Sequence, residues 1–138
     1  MSDALVRRAF EATLKTWADA RLPQAMPVQW QNVVLDPEPA AYVRAILLPA
    51  PTEAPDIEGQ GRTFTGIWQV SIVRPLGEGP GPADAIAAEL AAIFNSAAVL
   101  TAGGLRLHLL QPLSPTAPID EPGRFVVPCS AAYQATTY

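Results

Sequence analysis

The sequence predicts an α+β domain in which two amphipathic helices pack on one face of a mainly antiparallel sheet of about five strands. Three observations predict it. Two segments repeat apolar residues at helical spacing, several others alternate apolar and polar side chains, and the expected order is α-β-β-β-α-β-β. The chain of 138 residues suits one domain, 1–138, and contains no internal repeat.

The first helix is expected from a cap at Ser2 or Asp3 to about Arg21. Val6, Phe10, Leu14 and Trp17 form its apolar face, and Arg7, Arg8, Glu11, Lys15 and Asp19 lie largely off it. Pro23 stops it. Val28–Val33 reads as a short strand and Ala40–Leu48 as a better one, ending at Pro49. Pro49 to Gly61 is a long connection rich in proline, glycine and acid, of a length that usually signals function or mobility.

Arg62 to Arg74 is the clearest strand. Phe64, Gly66, Trp68, Val70 and Ile72 share one face, with Thr65, Gln69 and Ser71 on the other. A glycine turn follows, and Pro82 opens a second helix whose buried stripe is Ile86, Leu90, Ile93 and Phe94. Gly103-Gly104 turns into a strand where Leu105, Leu107 and Leu109 alternate with Arg106 and His108. A proline-rich connection from Pro112 to Pro122 leads to a closing strand from about Arg124 to Thr136, with Phe125, Val127, Cys129, Ala131 and Tyr133 on one face. The opposite face of the sheet carries Gln69, Ser71, Arg106, His108, Ser130 and Gln134, open to water or a partner.

Composition narrows the function. The net charge is −4, and of the nine basic residues Lys15 is the only lysine. Beyond Arg7-Arg8 the cations are scattered, which disfavours direct nucleic-acid binding, because affinity there comes from clustered phosphate contacts. No apolar run approaches the roughly 20 residues that span a bilayer, and the first residues do not form a secretory leader. The lone Cys129 suits a reducing compartment, the cytosol. With 49% apolar and only 16% charged residues, the chain has more apolar surface to hide than a small monomer usually does, a hint of oligomerisation.

Chemistry finds little support. One histidine and one cysteine do not supply the ligand sets that zinc or iron needs, and no acidic loop has calcium-loop spacing. A Cys129–His108 pair is chemically conceivable, but the two lie on opposite strand parities, so Cys129 is expected in the core and His108 on the surface. The cluster Gly77-Glu78-Gly79-Pro80-Gly81 opens a helix, yet its prolines remove backbone donors and Glu78 repels phosphate, so it is read as a turn. Asp120-Glu121 and the set Glu53, Asp56 and Glu58 are read as solvated loop charges, because an acid catalyst needs burial to raise its pKa. Trp17 and Trp68 are read as packing, while Trp30 suits either the core or an interface anchor. No cofactor and no catalytic activity are expected.

Several segments carry a resemblance. Ala9-Phe10-Glu11-Ala12 with Trp17-Ala18, Val28-Gln29-Trp30-Gln31-Asn32-Val33, Tyr42-Val43-Arg44 to Leu47-Leu48-Pro49-Ala50, Gly66-Ile67-Trp68-Gln69-Val70-Ser71-Ile72-Val73 with the Ala83–Ile93 helix, and Phe125-Val126-Val127-Pro128-Cys129-Ser130 resemble, in that order, the phage tail terminator-like proteins of siphophages and prophages. The segments 49–61 and 112–123 show no match. The resemblance implies a non-catalytic structural protein that forms a ring, typically a hexamer, on the head-proximal end of the tail tube. It would stop tube polymerisation and present the surface that joins the head. Implied partners are copies of itself, the tail tube protein and a head-completion protein; implied locations are the host bacterial cytoplasm during assembly and the virion tail.

Arg44, Glu53, Asp56, Glu58 and Arg62 are the candidate subunit or tube contacts, because opposite charges on two patches suit a head-to-tail joint. A solvated loop is the competing reading of the acids. Two other functions stay open: another neck or tail-completion protein of similar fold, and a small-molecule-binding α+β domain using Gln69, His108 and Ser130.

Overall fold

A computed structural model describes residues 3–50, 63–97, 99–102 and 104–137. Helix α1 (Asp3–Ala20) buries Val6, Phe10, Leu14 and Ala18. Ala18 completes the stripe in place of Trp17, which is half-buried at its margin. Helix α2 (Gly81–Ile93) has Pro82 in its first turn, where a missing N–H costs nothing, and buries Ala83, Ile86, Ala87 and Leu90.

The strands are β1 (Val28–Gln29), β2 (Tyr42–Pro49), β3 (Thr63–Pro75), β4 (Val99–Ala102), β5 (Leu105–Leu109), β6 (Ser114–Pro115), β7 (Ile119–Glu121) and β8 (Arg124–Thr137). They form one sheet in the order β1-β2-β3-β8-β5-β4, with β6 and β7 also paired to β8. All pairings are antiparallel except β1 with β2. The α+β class and the two helices on one face are as the sequence predicts. Among the described residues the sheet has eight strands, where about five are expected.

Three differences have local causes. The strand expected over Val28–Val33 stops after Gln29, because Asn32 takes a positive φ of 63° and the Val33 N–H closes a turn on the Trp30 carbonyl at 3.0 Å. The connection from Pro112 to Pro122 contains β6 and β7, which run back along the edge of β8 that β5 is too short to cover. Thr116 anchors it, its N–H donating to the Pro128 carbonyl at 2.8 Å. Before β5, Val99–Ala102 pairs with Leu105–Leu109 as a hairpin, with Gly104 at a φ of 83°.

Both helices cover the face carrying Val43, Ala45, Leu47, Phe64, Trp68, Val70, Ile72, Cys129, Ala131 and Tyr133. At its centre Phe10 stacks on Trp68 with ring centroids 4.8 Å apart and planes at 6°. Phe94 meets both rings edge-on, and Tyr133 meets Phe10 at 5.5 Å. A smaller cluster of Tyr42, Val73 and Val126, with Leu35 against it, forms separately.

Candidate interaction surface

Arg44 is held by the sheet at an alternate position of β2, between the buried Val43 and Ala45. Its guanidinium makes a two-bond fork to Glu121 of β7, at 2.9 and 3.0 Å, and donates to the Tyr42 hydroxyl at 3.2 Å. Arg124 reaches Glu121 at 3.5 Å and pairs with Glu38, which accepts a hydrogen bond from the Tyr42 hydroxyl. This five-residue network ties the chain before β2 to the β7–β8 hairpin. The Arg44 fork is the main cause holding the Glu121 carboxyl below its usual range, and the same fork raises Arg44.

Of the expected contact residues, Arg44 is thus paired within the chain. Glu53, Asp56, Glu58 and Arg62 lie outside the described residues.

The fork has a pH signature. A carboxylate whose pKa is depressed by folding stabilises the fold above its unfolded pKa of about 4.3, and that contribution is lost as pH falls through the lower folded value. Glu121→Gln is expected to cost about 1 kcal/mol at pH 7, since the pair is partly exposed and screened, and much less near pH 3. Thermal unfolding of both proteins at the two pH values checks this.

A second charged cluster joins the helices. Arg21 forks onto Glu89 at 3.0 and 2.7 Å, and the Trp17 indole N–H donates to the same carboxylate at 3.2 Å. The Arg21 guanidinium lies 5.5 Å from the Trp17 ring centre. Beside them a cavity of about 740 Å³ is lined by Thr13, Thr16, Trp17, Leu22 and Ile93 among others.

On the opening half of α1, Ala4, Arg7, Arg8, Glu11, Ala12 and Lys15 line a cleft of about 500 Å³ with Trp30. These positions follow one stripe of the helix, away from Val6, Phe10 and Leu14. Arg7 donates to the Gln31 side-chain oxygen at 2.6 Å, and that oxygen also accepts the Leu47 N–H at 2.9 Å. Gln31 therefore fixes both Trp30 and Arg7 against the edge of β2. Trp30 is half-buried, part of it packed on the core.

The sheet face away from the helices is less polar than its parity suggests. Leu48 pairs with Ile67, Ile67 with Ala132, and Leu110 donates its N–H to the Ala132 carbonyl. Leu48, Ile67 and Leu110 are 47%, 42% and 55% exposed, so an apolar row crosses β2, β3 and β8 in the open and ends at Leu110, just past β5. Gln69 and Ser130 sit opposite each other beside it, as do His108 and Gln134. Ser71, expected at this surface, is buried, and its hydroxyl accepts a hydrogen bond from the Gln69 side-chain N–H at 3.2 Å. Sequence reasoning missed this row; its signal was Ile67, opposite in parity to Trp68.

Cys129 is fully buried on the helix-covered side, where burial pushes its thiol up to about 11. His108 projects from the other face, so the two do not meet. Among the described residues no three histidine, cysteine or carboxylate side chains gather as a metal site.

Residues 5–133 match the family described as Phage tail terminator protein. The chain belongs to that tail terminator family. A solved structure 39% identical in sequence is also similar, covering 100% of this chain and 98% of that one with a TM-score of 0.82. No curated protein matches. Membership of the tail terminator family gives this chain a structural role in the phage tail and makes it a component of the virion tail. No helix among the described residues is long and apolar enough to cross a membrane.

Proposed function

We propose that this tail terminator forms a closed ring on the head-proximal end of the tail tube, stops tube polymerisation and presents the surface to which a head-completion protein binds. The family match over residues 5–133 carries the reading. Physical features support it. The open apolar row of Leu48, Ile67 and Leu110 suits a surface covered in an assembly. Different charged patches on one subunit suit head-to-tail contacts that close by rotation. In this reading Arg44, Glu53, Asp56, Glu58 and Arg62 are contact residues toward a neighbour or the tube, and assembly takes place in the cytoplasm of a bacterial host. The protein acts by contact and is not an enzyme.

The test is solution mass by light scattering across concentration, alone and after mixing with tail tube protein. A ring-sized species, or capped tubes of fixed length in the mixture, is the expected result. A protein that stays monomeric and leaves tube growth unchanged overturns the proposal. A neck protein of similar fold would instead bind another level of the connector and leave tube length untouched. For a small-molecule domain, Gln69, His108 and Ser130 would have to line a pocket; the cavities of about 740, 500 and 350 Å³ contain none of them.

A further inference from the structure

The helix-face cleft around Trp30 holds two arginines that meet no carboxylate among the described residues. Lys15, Arg21, Arg44, Arg74 and Arg124 each meet a carboxylate of this chain. Arg7 bonds only a neutral amide, and Arg8 meets no carboxylate among the described residues. Glu11 stands in the same cleft, and Lys15 is shared with Asp19 at 2.8 Å. The cleft still keeps positive charge in excess, on a chain whose net charge is −4. Its wall is a half-buried tryptophan beside two arginines, residue types that most often anchor interfaces. Ala4 and Ala12 leave its floor low enough to admit a side chain.

The complement is written elsewhere in the same sequence. Glu53-Ala54-Pro55-Asp56-Ile57-Glu58 has three acids in six residues, with an isoleucine between two of them. An apolar residue flanked by acids matches an aromatic residue flanked by bases. Arg44, by contrast, already has both donors of its fork on Glu121, so it is the poorer receiver.

We infer that the cleft of Arg7, Arg8 and Trp30 is the socket for the acidic segment of a second copy, whose sequence from Glu53 to Glu58 complements it in charge. The inference rests on the ring reading, and it names the two unlike patches that such a joint requires. Because one copy offers the segment and the next offers the socket, the contact repeats around a ring without self-pairing.

A charge swap in full-length protein tests it. One variant carries Arg7→Glu and Arg8→Glu; the other carries Glu53→Lys, Asp56→Lys and Glu58→Lys. Each alone has segment and socket of like sign, and the concentration needed for assembly should rise on the order of tenfold or more. Mixed together, every segment faces a socket of opposite sign, and alternating assemblies should return. Glutamates near the start of α1 agree with the helix dipole, so the first variant should fold; Arg8→Glu alone is the milder substitute, and circular dichroism monitors folding. Wild-type rings with unimpaired variants overturn the socket and leave the ring reading standing, as do folded variants that fail alone and stay apart when mixed. A wild type that never assembles, alone or on tubes, overturns both.

Discussion

Trp68→Ala is expected to lower the unfolding free energy by about 3–5 kcal/mol and the melting temperature by roughly 10–20 °C. Trp68 is 0% exposed at the middle of β3. Its ring stacks on Phe10 from α1 and meets Phe94 just past α2, so one side chain joins both helices to the sheet. Truncation leaves a cavity walled by two aromatic rings that cannot both move in to fill it. One term acts the other way: the indole N–H is buried without a partner among the described residues, and losing it removes a desolvation cost. The expected loss therefore sits toward the lower end of that range. Trp68→Phe separates the two contributions, because it keeps a stacked ring and discards the N–H; it should cost less than half as much. Against a total stability of about 5–15 kcal/mol for a domain, the alanine variant should also assemble poorly for want of folded subunits. Chemical denaturation of the three proteins measures these differences.

The parts of the fold that were legible in the sequence are those whose periodicity is enforced by a core. In β3 the buried Phe64, Trp68, Val70 and Ile72 fall at alternate positions as the pattern predicts, and the same holds for Leu105, Leu107 and Leu109 and for Cys129, Ala131 and Tyr133. The fate of Cys129 and His108 followed from parity alone. What escaped were elements held by partners instead of by pattern. Strands β6 and β7 are short and mostly exposed, so no alternation marks them; they exist because β8 has a free edge. Strand β1 ends early at a single left-handed asparagine. The pairing of Arg44 with Glu121 spans 77 positions of sequence, and the charge of Arg44 gave no sign of which carboxylate it would meet. The candidate contacts were legible only as charge: the acids stood out by density, whereas the low demand on Arg8 appears only once the other cations are seen with their partners.

Gly66→Ala is the second large effect, expected to destabilise by about 3 kcal/mol. Gly66 lies directly across from Tyr133 of β8 and Pro49 of β2. A methyl group there would stand 2.4 Å from the Leu48 carbonyl oxygen, 2.7 Å from the Tyr133 hydroxyl and 2.8 Å from its ring. The tyrosine thus occupies space that any other residue at 66 would fill, and its ring covers the gap the glycine leaves. A side chain can turn aside, but the Leu48 carbonyl is backbone, so relief requires β2 to shift against β3. Tyr133→Phe distinguishes the two obstacles. Alone it should be close to neutral, since the hydroxyl is buried without a partner among the described residues and burial pushes it up to about 12. Combined with Gly66→Ala it should recover only a minor share of the loss, because the carbonyl remains. Full recovery would place the strain in the tyrosine, and an alanine variant as stable as wild type would mean the strands separate there at little cost. A shift of β2 also parts Leu48 from Ile67, which stand side by side on the open face. A variant that still folds should therefore show weaker assembly than its stability alone accounts for, if that apolar row is covered by a neighbour.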